Sequence, residues 1–93
     1  MKIVFITDKQ VEKFNKIKKE LLYCDRMIGR DIEVLDLKRE MNYNSYLDAL
    51  KFDNREVAYK NISSCCENDK ELLLLEREKV LTEAIIELIE ALA

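Results

Sequence analysis

From Asp69 to Leu92 the apolar residues recur at helical spacing with no proline or glycine to interrupt them. Leu74, Leu81 and Leu88 repeat every seven residues, and Ile85 and Leu92 widen that stripe. Leu72, Leu75, Ile86 and Ile89 carry it further round the cylinder, while Glu76, Glu83, Glu87 and Glu90 fall together on the opposing side. Asn68, three residues before Glu71, resembles the start of a capping box, so the helix is expected to run over about 69–92. At about 1.5 Å per residue it would be roughly 35 Å long. Its apolar face is too broad to stand in water, so either the N-terminal half or a second copy of the chain must cover it.

The rest of the chain is read around that helix. Ninety-three residues suffice for one domain with a modest core, 1–93. The chain has no proline and a single glycine, which favours helices with short connections over a many-turned β-fold. No apolar run approaches a membrane span and no leader pattern opens the chain, so no membrane partner is expected. Three cysteines without CxxC spacing point to a reducing, cytoplasmic setting.

Lys2–Ile6 is short, apolar and β-branched, and reads as a buried strand over about 2–6. Thr7 then offers an N-cap with Gln10 at the third helical position, flanked by Ile6 and Val11 as a hydrophobic staple. The helix that this starts is predicted over about 8–28. Val11, Phe14, Ile17, Leu21, Cys24 and Ile28 form its buried face, and Gly29 is its left-handed stop. Asp31–Leu37 alternates apolar and polar residues and reads as a second strand over about 31–37.

Strand, helix and strand in this order make a β-α-β-like unit. Two or three helices follow it. Ser45 with Asp48, and Asp53 with Glu56, are candidate helix starts in the middle of the chain; a strand at 56–62 is the competing reading. The fold class is therefore expected to be α+β, ending in the long C-terminal helix.

Several chemistries lack their residues. Histidine is absent, which removes the usual general base and the common metal ligand. One glycine cannot build a phosphate-cradling loop. Cys65 and Cys66 are adjacent and Cys24 lies far off, so zinc ligation is unfavoured; Cys24 and Cys65 read as small core residues. Neither a cofactor nor a metal is expected. Asp8 and Asp36, each near a strand's carboxyl end, are a candidate Mg²⁺ pair for a small phosphoryl-transfer enzyme, with first-turn and edge roles as the ordinary readings.

The remaining signals are charge and apolar surface. Residues 1–30 hold eight Lys/Arg against four Asp/Glu, and residues 61–93 hold three against eight. Lys9, Lys13, Lys16 and Lys19 share a helix face that could follow a phosphate backbone, which makes nucleic-acid binding the alternative function. The preferred reading is a non-enzymatic interaction protein, a small regulator or inhibitor that occupies a partner protein's surface. Its candidate contacts are Glu76, Glu83, Glu87 and Glu90, with Tyr43 and Tyr46 as anchors. Leu74, Leu81, Ile85 and Leu88 are the candidate homodimer interface. Abundant Lys, Ile, Asn and Glu suit a low-GC bacterium or its phage, and with that a phage or mobile-element origin.

Overall fold

The computed structural model describes residues 7–92, which form two helices and, among these residues, no strand. Helix α1 spans Asp8–Lys51 and α2 spans Arg55–Leu92. They lie antiparallel in a hairpin of 68 × 24 × 13 Å. Its length is that of one 44-residue helix at about 1.5 Å per residue.

The start of α1 is as the sequence predicts. The Thr7 hydroxyl accepts from the Gln10 amide at 3.3 Å, and the Gln10 side chain accepts from the Thr7 amide at 2.9 Å, a complete capping box. The expected strand at 2–6 lies outside the described residues. The strand at 31–37 is overturned: these residues are interior turns of α1. Gly29 does not stop the helix, since it has no positive φ and α1 continues for a further 22 residues to Lys51. The α+β fold thus gives way to an all-helical hairpin over the described residues.

The chain reverses at residues 52–54. Asp53 adopts φ 54°, the left-handed conformation a helix needs just past its C-cap. The Asn54 amide donates to the Ala49 carbonyl at 2.8 Å and the Asp53 amide to the Leu50 carbonyl at 3.1 Å, the two bonds of a Schellman turn. Asn54 is also the N-cap of α2, its side-chain oxygen accepting from the Val57 amide at 3.3 Å. So the second helix starts one residue later than the expected Asp53, and the start expected at Ser45 is interior to α1. Asn68, expected as a cap, is interior to α2.

The register follows from contacts that move in opposite directions along the two helices: Lys18 with Glu90, Asp25 with Lys79, Arg39 with Asp69, and Asn42 with Asn68. Covered positions step by three and four. On α1 they include Phe14, Leu21, Ile28, Ile32, Leu35, Asn42, Tyr46 and Ala49; on α2, Ala58, Asn61, Cys65, Asn68, Leu72, Leu75, Lys79, Thr82, Ile86 and Ile89. That 3.5-residue period is a coiled-coil seam. The register sets Ala49 level with Ala58, Leu35 with Leu72, and Leu21 with Ile86.

The seam is thin and mixed. Ala49, Ala58, Cys65, Leu72, Ile86 and Ile89 are its buried members among the described residues. Burying each of the three large ones contributes about 2 kcal/mol. Between them lie Lys18, Asp25, Arg39, Asn42, Asn61, Asn68 and Lys79, all half-buried. Polar seam residues sacrifice stability but fix which turn pairs with which, because a slipped register would strand them against leucine.

Candidate interaction surface

Each helix has one stripe in the seam and a second that faces away from it. On α2 the second stripe is Leu74, Leu81, Ile85, Leu88 and Leu92, all exposed. The heptad stripe that dominates the sequence is therefore the outer one, and Leu72, Leu75, Ile86 and Ile89 beside it take the seam.

On α1, Ile17, Cys24, Met27 and Val34 are likewise exposed. The expectation that Ile17 and Cys24 belong to the buried face is corrected here, because the seam's steps pass over them. The two outer stripes meet on the same flank of the hairpin. Cys24 and Met27 of α1 line one groove with Leu81 and Ile85 of α2, floored by Leu21, Ile28 and Leu75. The groove has a volume of about 510 Å³. It continues along Val34, Leu35 and Leu75 to Lys38 and Glu71, and the acids Asp31 and Glu78 also line it.

Ile17, Met27, Val34, Leu74, Leu81, Ile85, Leu88 and Leu92 are each 37–63% exposed. Together they leave roughly 700 Å² of largely apolar surface, more than a monomer usually shows in one patch. The α1 half went unrecognised in the sequence; its signal is the seven-residue spacing of Met27, Val34 and Met41.

The acids of α2 take the flank across the seam. Glu83 pairs with Lys79 at 3.2 Å and Glu90 with Lys18 at 3.1 Å, whereas Glu76 and Glu87 have no ion pair among the described residues. Half of the expected acidic contact is thus engaged within the hairpin. Such exposed pairs are weak and can be exchanged for a partner's cation. Tyr43 and Tyr46 are neighbours, with ring centroids 6.0 Å apart and planes tilted by 36°. Tyr46 belongs to the seam and Tyr43 is exposed, so Tyr43 is the more accessible of the two.

Two seam cations are held in their charged state. Arg39 has its pKa raised by the hydrogen bond to Asp69 and then by that carboxylate's charge. Lys79 is raised by hydrogen bonds to Glu83 and to Asp25, against a desolvation cost.

The expected lysine face is present. Lys9, Lys13, Lys16 and Lys19 are exposed on α1, while Lys18 turns inward to Glu90. Arg26, Tyr23 and Arg30 extend that side. Asp8 and Asp36 are not brought together. The continuous helix between them separates them by roughly 42 Å, too far to share an ion. No described group of His, Cys, Asp or Glu has the geometry of a metal site. Cys65 is buried and its thiol donates to the Arg39 carbonyl at 3.5 Å; Cys24 and Cys66 are exposed, and all three are unpaired. No described helix is long and apolar enough to cross a membrane.

No family model matches the chain, and neither the curated proteins nor the solved structures give a match.

Proposed function

We propose that this chain is a non-enzymatic interaction protein of the cytoplasm, a small regulator or inhibitor that acts by occupying a protein partner's surface. The observation that carries the reading is the distribution of side chains between seam and flank. Lys18, Asp25, Arg39, Asn42 and Lys79 are half-buried in the seam, while Leu74, Leu81 and Leu88 are exposed. Folding alone is better served by the reverse. Leucines kept outside gain their stabilisation only when another surface covers them. A partner surface laid across this flank would meet Met27, Leu74, Leu81 and Leu88, and the acids Glu76 and Glu87 on the far flank would steer a basic partner towards the hairpin.

The test is a tagged pull-down from host extract after nuclease treatment, with wild type compared against Leu81→Glu/Leu88→Glu and Glu76→Lys/Glu87→Lys. A stoichiometric protein retained by wild type and lost with the leucine changes supports the reading. The same proteins held by all three chains reject it.

A second reading has its own observation. Lys9, Lys13, Lys16 and Lys19 run on into Arg26 and Arg30 along roughly 32 Å of α1, with Tyr23 among them. That is a track for phosphates. Affinity for RNA or DNA that falls steeply with salt supports it, and no binding at low salt removes it.

A further inference from the structure

We infer that the occupant of the apolar flank is a second copy of this chain, so that two hairpins stack face to face as a four-helix bundle. The inference rests on the reading of that flank as an interaction surface and names what covers it.

Three observations converge on a second copy. The first is area. The flank offers roughly 700 Å² of exposed apolar surface, close to the ~800 Å² per partner of a standard stable interface.

The second is width. The hairpin is 24 Å across, and both helices contribute, with Met27 and Val34 on one and Leu81 and Leu88 on the other. A single partner helix about 10–12 Å in diameter would fill the groove beside Met27 and Leu81. It would leave Leu74 and Leu88, on the outer side of α2, wet. A two-helix layer covers the whole, and this chain is itself such a layer.

The third is thickness. The hairpin extends 13 Å in its thinnest direction, one helix deep, and among the described residues none falls below 2% exposure. A second layer converts the groove floor of Leu21, Ile28 and Leu75 into an enclosed core, as in antiparallel four-helix bundles. The hairpin's polar seam then sets register while the inter-hairpin face supplies most of the apolar burial.

The experiment is light scattering and thermal circular dichroism on the full chain from low micromolar to several hundred micromolar, for wild type, Leu81→Glu/Leu88→Glu and the milder Leu88→Ala. The inference expects wild type at twice the 11.0 kDa chain mass, with a melting temperature that climbs with concentration. It expects the double variant to be monomeric, and Leu88→Ala to raise the dissociation constant about tenfold while keeping its helix content. If the double variant unfolds, the alanine variant and the wild-type concentration series decide. A wild type that stays at the chain mass with a concentration-independent melt overturns the inference, as does a dimer that Leu88→Ala and Leu81→Glu/Leu88→Glu leave intact. A monomer that still loses a captured protein on the leucine changes would keep the interaction reading and replace the occupant. A monomer whose capture is unaffected sinks both.

Discussion

The ammonium of Lys79 lies 3.3 Å from Asp25 across the seam and 3.2 Å from Glu83 on its own helix. One cation therefore fastens α1 to α2 at a level where the leucines give way to polar residues. Lys79 and Asp25 are only 35% and 21% exposed at their side chains, so the bond between them is better shielded than a surface ion pair. The fold raises the pKa of Lys79, chiefly through Glu83 and then Asp25. Its stabilisation is fully present below the ordinary lysine pKa of about 10.4 and is lost as pH rises through the higher folded value. Melts of wild type and Lys79→Met at pH 7, 9, 10.5 and 11.5 should therefore show wild type losing ground to the variant only in the last steps. A gap between the two that is constant to pH 11.5 would contradict the pair's role.

Gly29 gives a second, sharper outcome. It sits in the interior of α1 without a positive φ, and a Cβ there would meet only the Lys79 side-chain nitrogen at 3.7 Å, an ordinary contact. Gly29→Ala should stabilise the hairpin by about 1 kcal/mol, because alanine loses less backbone entropy in a helix. For a domain of this size that raises the melting temperature by roughly 4–8 °C. A glycine that terminated the helix in a left-handed conformation would respond with the opposite sign, so this one substitution separates the hairpin from a β-α-β unit.

Asn42 donates to Asn68 Oδ1 at 3.0 Å in the seam, close to the Arg39–Asp69 pair. Replacing both asparagines with leucine removes a polar layer and adds apolar burial, so the double variant should melt higher, by about 1 kcal/mol or more in stability. Freed of its register lock, it should also populate more than one pairing of the helices, visible as extra amide peaks in its NMR spectrum. Asn68→Leu alone leaves Asn42 without its partner and should gain less or lose. A double variant less stable than wild type would mean that the bond outweighs the leucines.

The start of α1 is more legible in the sequence than its middle. The capping box of Thr7 and Gln10 depends on residues three apart, and local chemistry of that kind survives any tertiary arrangement. Asp31–Leu37 misled for a physical reason: two helical stripes overlap there. Ile32 and Leu35 belong to the seam, Val34 and Leu37 to the exposed surface, and their superposition imitates the period of two that marks a strand. Asn68 looked like a cap because nothing in its neighbourhood announces a partner 26 residues upstream. The seam itself was masked by Lys18, Asp25, Arg39 and Lys79, which break its apolar pattern. The outer leucines of α2 are uninterrupted, and their spacing alone leaves open whether the N-terminal half or a second copy covers them. The acidic and lysine faces were legible because a solvated helix side keeps its sequence spacing wherever the helix packs.

The three thiols can read seam and flank in one experiment. Cys65 is 2% exposed and donates to a backbone carbonyl within the seam, Cys66 points to solvent, and Cys24 lines the apolar groove. A brief pulse of iodoacetamide followed by peptide mass spectrometry should label Cys66 first and Cys65 only as fast as the hairpin opens. Cys24 should react about as readily as Cys66 in dilute protein and slow several-fold at concentrations where two copies cover the groove. Equal labelling of Cys65 and Cys66 would remove the seam. Fast labelling of Cys24 at every concentration would leave the seam intact and put the second copy elsewhere. The two residues fail independently because the seam is closed by one chain and the groove, on this account, by two.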